Sequence, residues 1–152
     1  MKRLFTLLAL SLTLAGCDAL TGKEIGRLPI NQLSTEGNLV AKETTLDLKK
    51  GDEIGIWSDM NIAYEGAVDL RFRVEVRKDG NPIDGFEVDP TKKNLTIGEF
   101  KTTVADRTNW SFTGKNFVYK IDADGNYTFK GILVASENST LKVTRAEVVF
   151  KK

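Results

Sequence analysis

The chain has 152 residues, 41% of them hydrophobic, and its 22 basic side chains nearly balance 21 acidic ones. That length suits one domain, and no run of basic residues marks an electrostatic footprint for nucleic acid. There is no histidine and a single cysteine, Cys17, which excludes Ser-His-Asp and Cys-His catalysis, His-ligated zinc and an internal disulfide. Carboxylate, Ser-Lys and oxygen-ligated calcium chemistry stay open.

Lys2 and Arg3 precede an uncharged run from Leu4 to Leu14, with leucine at 4, 7, 8, 10, 12 and 14. As a helix this run spans roughly 16 Å, short of the ~30 Å hydrocarbon core of a bilayer, so it is expected to be a signal peptide rather than a membrane span. It ends in Leu14-Ala15-Gly16-Cys17, which resembles the lipobox of bacterial lipoproteins. The resemblance covers these export residues alone. It implies that a diacylglycerol is joined to Cys17 and that residues 1–16 are removed. Acyl chains such as palmitate then hold the chain on a membrane of the cell envelope. Two or more chains anchor stably at about 0.8 kcal/mol per buried methylene. Loss of Lys2 and Arg3 leaves 20 basic against 21 acidic side chains, a charge of −1. Asp18, directly after the cysteine, resembles an inner-membrane retention signal of enteric lipoproteins, and the choice between inner and outer membrane stays open.

Residues 17–37 are expected to form the lipidated N-terminus and a tether, since Gly22, Gly26, Pro29 and Gly37 interrupt any period. Leu28, Ile30 and Leu33 are placed to dock part of it on the domain that follows. That domain is expected over residues 38–152 and to fold alone from Asn38. Glu43–Leu48 and Glu53–Ser58 read as strands around a Lys49-Lys50-Gly51-Asp52 turn. Val68, Leu70, Phe72, Val74 and Val76 alternate with charged residues, the period of a half-buried antiparallel strand, and Asp79-Gly80 supplies a hairpin turn. Asn81–Ile83 starts the return and Asp84-Gly85 is expected to break it. Ile97–Val104 is a weaker strand; Trp110 and Phe112 share a phase that Gly114 interrupts, and Phe117, Tyr119 and Ile121 continue. After the Asp122–Asn126 turn, Tyr127–Leu133 returns. In the last strand Leu141 and Val143 are out of phase with Ala146, Val148 and Phe150, which predicts a β-bulge near Thr144-Arg145.

About eight short strands and regular turns predict an all-β, antiparallel β-sandwich, jelly-roll-like, with an immunoglobulin-like order as the alternative. The Cys…Trp…Cys pattern of antibody domains is missing. Asn94, Asn109, Asn126 and Asn138 head N-glycosylation tripeptides, which behind a lipobox read as chance.

Three groups are candidates for a site. Asp122-Ala123-Asp124-Gly125-Asn126 starts like a calcium loop, but position twelve is Leu133 where an EF-hand needs glutamate, so a hairpin turn is expected and no metal or cofactor is assigned. Asp52, Glu53, Asp59, Glu65 and Asp69 are dense enough for a carboxylate-based enzyme only if two of them converge. Trp57 lies in the phase opposite to Ile54 and Ile56, with Tyr64 in the loop expected after it. An aromatic ring with polar neighbours is a means of holding a sugar, so Trp57 and Tyr64 form the candidate ligand platform. Trp110, in phase with Phe112, is expected in the core. The function this pattern favours is a membrane-anchored, non-enzymatic binding or interaction module for a glycan or an envelope protein. A structural or assembly lipoprotein without a small ligand is the alternative, and a carboxylate enzyme the third.

Overall fold

The computed structural model describes residues 18–152; Cys17 and the segment before it lie outside the described residues. A helical turn α1 (Asp18–Thr21) is followed by nine strands: β1 (Glu24–Pro29), β2 (Ala41–Leu48), β3 (Glu53–Glu65), β4 (Leu70–Lys78), β5 (Asn81–Val88), β6 (Leu95–Val104), β7 (Arg107–Lys120), β8 (Gly125–Ala135) and β9 (Lys142–Lys151). Pairing is nested: β1 with β9, β2 with β8, β3 with β7 and β4 with β5, all antiparallel. The pairs β3·β9 and β4·β8 join these into a five-stranded sheet, β1-β9-β3-β7-β6, and a four-stranded sheet, β2-β8-β4-β5. A chain doubled back on itself and rolled in this way is a jelly roll, with β6 appended beside β7. The expected sandwich forms, and its order is not the ABED-over-CFG order of immunoglobulin domains.

Local chemistry accounts for the elements. In β4 the side chains of Leu70, Phe72, Val74 and Val76 are buried while the intervening arginines and glutamate face outward. Asp79 and Gly80 take φ of 49° and 85°, the pair of positive values that a tight hairpin needs. The bulge expected in β9 is present: Asn61 faces Arg145 and Ile62 faces Val143, leaving Thr144 as the extra residue. A second bulge sits in β7, where Ile56 faces Phe117 and Trp57 faces Lys115, leaving Asn116 between them. It resets the phase, so β7 runs through Gly114 instead of stopping there. Likewise β5 continues past Asp84-Gly85, the irregularity falling at Ile83.

The core lies between the sheets. Phe129 and Phe150 meet across it with ring centroids 4.5 Å apart, and Tyr119 abuts Phe129 edge-on at 6.0 Å. At the β7 bulge, Ser58 Oγ donates to Asn116 Oδ1 at 2.7 Å, and Asn116 Nδ2 donates to the carbonyls of Asp89 (3.2 Å) and Lys92 (2.8 Å). This buried polar group pins the β5–β6 connection to the sheet.

Two expectations are corrected here. The tether does not extend to residue 37: β1 is an edge strand of the five-stranded sheet, and Leu28 and Ile30 are fully buried. Gly131 makes room for them, since a Cβ there would lie 2.9 Å from Ile30 and 3.1 Å from Leu28. Asp18 to Lys23 therefore separate Cys17 from β1, about 20 Å at full extension. Tyr64 is not in a loop either, because β3 runs on to Glu65, with Met60, Ile62 and Tyr64 facing the core and Asp59, Asn61 and Ala63 facing out.

Candidate functional site

The proposed platform residues do not come together. Trp57 and Tyr64 lie on opposite faces of β3, seven residues apart, roughly 23 Å along a strand. Tyr64 packs in the core, and Trp57 is 1% exposed although it points to the outer face. Its indole lies beside Gly55, whose missing side chain leaves space; a Cβ there would sit 2.9 Å from Trp57 Nε1. Lys151 Nζ stands 4.6 Å over the ring, and the cross-strand neighbours are Lys115 and Val149. Lysine stems can cover apolar surface while their heads stay in water, which is how an outward residue becomes buried. Among the described residues the Trp57 N–H has no hydrogen-bond partner.

Trp110 shows the converse. It shares the inward phase of Phe112, their centroids 4.7 Å apart, and packs against the core, yet it is only partly buried. The reason is β6, which pairs with β7 alone and is exposed along almost its whole length. On its inward side, Glu99 and Lys101 stand beside Phe112 and Trp110. Trp110 Nε1 donates to Glu99 Oε1 at 2.7 Å, Lys101 Nζ lies 4.0 Å from the indole centroid, and Lys93 Nζ binds Glu99 at 2.8 Å while lying 4.0 Å from the Phe112 centroid. Lys93 reaches there through the space Gly114 leaves: a Cβ on that glycine would come within 2.4 Å of the lysine stem. The Lys93 ammonium, and then the Trp110 N–H, hold the Glu99 carboxyl below its ordinary value. On the outward side and at the margins, Leu95, Ile97, Phe100 and Val104 are exposed, Phe100 by 66% and Val104 by 77%. Sequence reasoning placed Trp110 in the core and missed Lys93, Glu99 and Lys101, whose meeting depends on the β6–β7 register.

The five carboxylates suspected of catalysis do not converge. Asp52 pairs with Lys152 (2.7 Å), Glu53 with Lys120 (3.6 Å), Asp59 with Arg27 (3.2 Å) and Arg145 (2.9 Å), Glu65 with Arg107 (3.9 Å), and Asp69 with Arg71. Arg27 is raised above its ordinary pKa, first by its hydrogen bond to Glu24, and it also binds Glu147. In the Asp122–Asn126 turn, Asp124 accepts the backbone N–H of Lys50 at 2.8 Å. Among the described residues no group of three or more Cys, Asp and Glu side chains is gathered as a metal-ligand set. A shallow open depression of about 640 Å³ crosses the outer face of the smaller sheet, with Ala41 and Ile132 among its apolar residues and Arg73, Arg77 and Lys130 among its charged ones. Comparison with family models, with curated proteins and with solved structures finds no match for this chain.

Proposed function

We propose that this chain is a lipid-anchored protein of the bacterial cell envelope whose jelly roll is a non-enzymatic interaction module, with the β6 edge as its contact surface. The anchor reading rests on Leu14-Ala15-Gly16-Cys17 behind the apolar run. The observation that carries the module reading is the exposed row Leu95, Ile97, Phe100 and Val104 on one edge strand. Large apolar side chains left exposed along one edge mark it as a surface for interaction, and they favour a protein partner over a glycan, whose proposed aromatic platform is dispersed. Five carboxylates each matched to a cation give the enzyme reading least support.

The test has two parts. Cys17→Ser is expected to abolish palmitate labelling and to move the protein from detergent into water; an unlabelled wild type that partitions identically to the variant ends the anchor reading. The Cys17→Ser chain is then titrated with envelope glycans while Trp110 fluorescence is followed. No response is expected, and a saturable shift transfers the function to glycan binding.

A further inference from the structure

We propose that β6 is the surface through which two copies of this chain pair, edge to edge, about a two-fold axis at Phe100. This deepens the interaction-module reading and rests on it for the confinement of both copies to one membrane.

The edge is open. Sheet edges in natural proteins are blunted by shortness, by proline, by lysine, by β-bulges or by inward-pointing charges, and of these β6 carries a bulge at Ile97 and the inward Glu99 and Lys101. β6 has ten residues and no proline, and its single lysine, Lys101, is turned onto Trp110. Four apolar side chains, Leu95, Ile97, Phe100 and Val104, are left exposed along it.

The sequence of the strand also selects a register. In an antiparallel pair of identical strands, the residue on the axis faces its own copy and fixes every other pair. With Phe100 on the axis, Glu99 faces Lys101 of the second copy and Lys101 faces Glu99 of the second copy, so both cross-strand pairs are attractive. Moving the axis to Glu99 or to Lys101 sets like charges opposite each other, which destabilises a ladder. Gly98 then faces Thr102, and the Phe100 ring of the second copy lies diagonally over Gly98. Among the described residues, its two chain neighbours aside, nothing comes within 4 Å of a Cβ built on Gly98, and an aromatic ring across an edge glycine is a known stabiliser of sheets.

The symmetry fits the anchor as well. A two-fold relating antiparallel edge strands stands perpendicular to the sheet, and the contact is isologous and closed. Both copies of Glu24, where β1 begins, then lie at one height along that axis, so both lipids can enter one bilayer. A single strand pair is at the small end of specific interfaces; confinement to a membrane raises the effective concentration enough to populate it.

The decisive experiment is cross-linking of the full chain in its own membranes, where acylation blocks Cys17. Phe100→Cys places two thiols across the axis at cross-strand distance, whereas Thr102→Cys and Val104→Cys separate theirs by four and eight residues along the strand. Mild oxidation is expected to give a disulfide dimer from the first variant and loss of that band in the other two. Phe100→Asp is expected to abolish the dimer, seen by lysine cross-linking, without shifting the unfolding midpoint, because Phe100 is largely exposed. Absence of the position-100 dimer in membranes overturns the proposal. So do equal dimers at all three positions, capture of a different protein in its place, or labelling of position 100 by a lipid-borne probe without a dimer. Palmitate incorporation is measured on the same membranes. Label without dimer removes the pairing and leaves the anchor, while a position-100 dimer without label leaves the pairing and removes the anchor.

Discussion

The five-stranded sheet has two edges that solve the same problem in opposite ways. At one, β1 is six residues long, sends Leu28 and, just past its end, Ile30 fully into the core, and ties its outward Arg27 to Glu24, Asp59 and Glu147. At the other, β6 is ten residues long and sends no side chain fully into the core. The two tryptophans follow their edges. Trp57, beside β9 on the β1 side, is buried on the face that should be solvated; Trp110, beside β6, is only partly buried at the margin of the core. Strand phase therefore tells which way a side chain points, and what lies above it decides whether it is buried. Lys151 lies over Trp57, and β6 leaves Trp110 partly uncovered.

The largest expected effect tests the closed edge. A chain beginning at Asn38 lacks β1, and loss of Leu28 and Ile30 alone removes about 3–6 kcal/mol of apolar burial, comparable with the whole stability of a typical domain. It also leaves the space above Gly131 empty and exposes β9 as a new edge. A chain beginning at Lys23 is expected to unfold cooperatively, and one beginning at Asn38 to show no cooperative transition by circular dichroism. Equal midpoints would return β1 to the status of tether and dissolve the contrast between the edges.

Next in size are the tryptophans themselves. Trp57→Ala is expected to cost about 3–5 kcal/mol, the range for truncating a fully buried large aromatic. Trp110→Ala is expected to cost about 1–2 kcal/mol, from partial burial, one ring pair and two cation–π contacts, with Lys93 and Lys101. Chemical denaturation gives the energies, and acrylamide quenching of each single-tryptophan variant (the other changed to Phe) gives the exposure, with Trp110 the more quenched. If Trp110 proves the costlier and the better shielded, strand phase alone decides burial and the groups lying over each ring do not.

Much of the fold was legible because period-two alternation and turn chemistry are local. Val68–Val76, the Asp79-Gly80 turn and the Thr144 bulge all follow from residues within a few positions of one another. β1 was harder. Gly26 and Pro29 break its alternation, and only Leu28 and Ile30 hint that it packs; their slot is a glycine in β8, a hundred residues away. Gly114 looked like an interruption because the lysine that occupies its space comes from the β5–β6 connection. The loop expected at Tyr64 is strand, because β3 runs on to Glu65 with Asp59 and Asn61 on its outward face as ordinary solvated residues. The β6–β7 connection carries no turn signal, with Ala105 taking a φ of 52° where glycine or asparagine would be expected. Of the candidate site, the sequence offered Trp110 with the wrong surroundings, and Lys93, Glu99 and Lys101 needed the hairpin register to meet.

The smallest expected effect is also the most local. The Glu99 carboxyl is held below its ordinary value of 4.5, first by the Lys93 ammonium and then by the Trp110 N–H. A group whose pKa is lower folded than unfolded contributes stability that is complete above the unfolded value and is lost as pH falls through the folded one. For Glu99 that window opens near pH 4.5 and extends below it, and the contribution is small because the pair is partly exposed to water. Protonation releases Lys93 and changes the indole's partner, so Trp110 emission should titrate with a midpoint below 4.5. This is measured in a Trp57→Phe background, where Trp110 is the only indole. In the reciprocal Trp110→Phe background the emission of Trp57, with no carboxylate partner for its N–H, should stay flat over the same range. Glu99→Gln should remove the Trp110 titration without moving the denaturation midpoint at neutral pH by more than about 0.5 kcal/mol. A midpoint at or above 4.5, or a titration that survives Glu99→Gln, would show that Trp110 is not bound to Glu99 in solution and that the open edge is arranged differently from the one described.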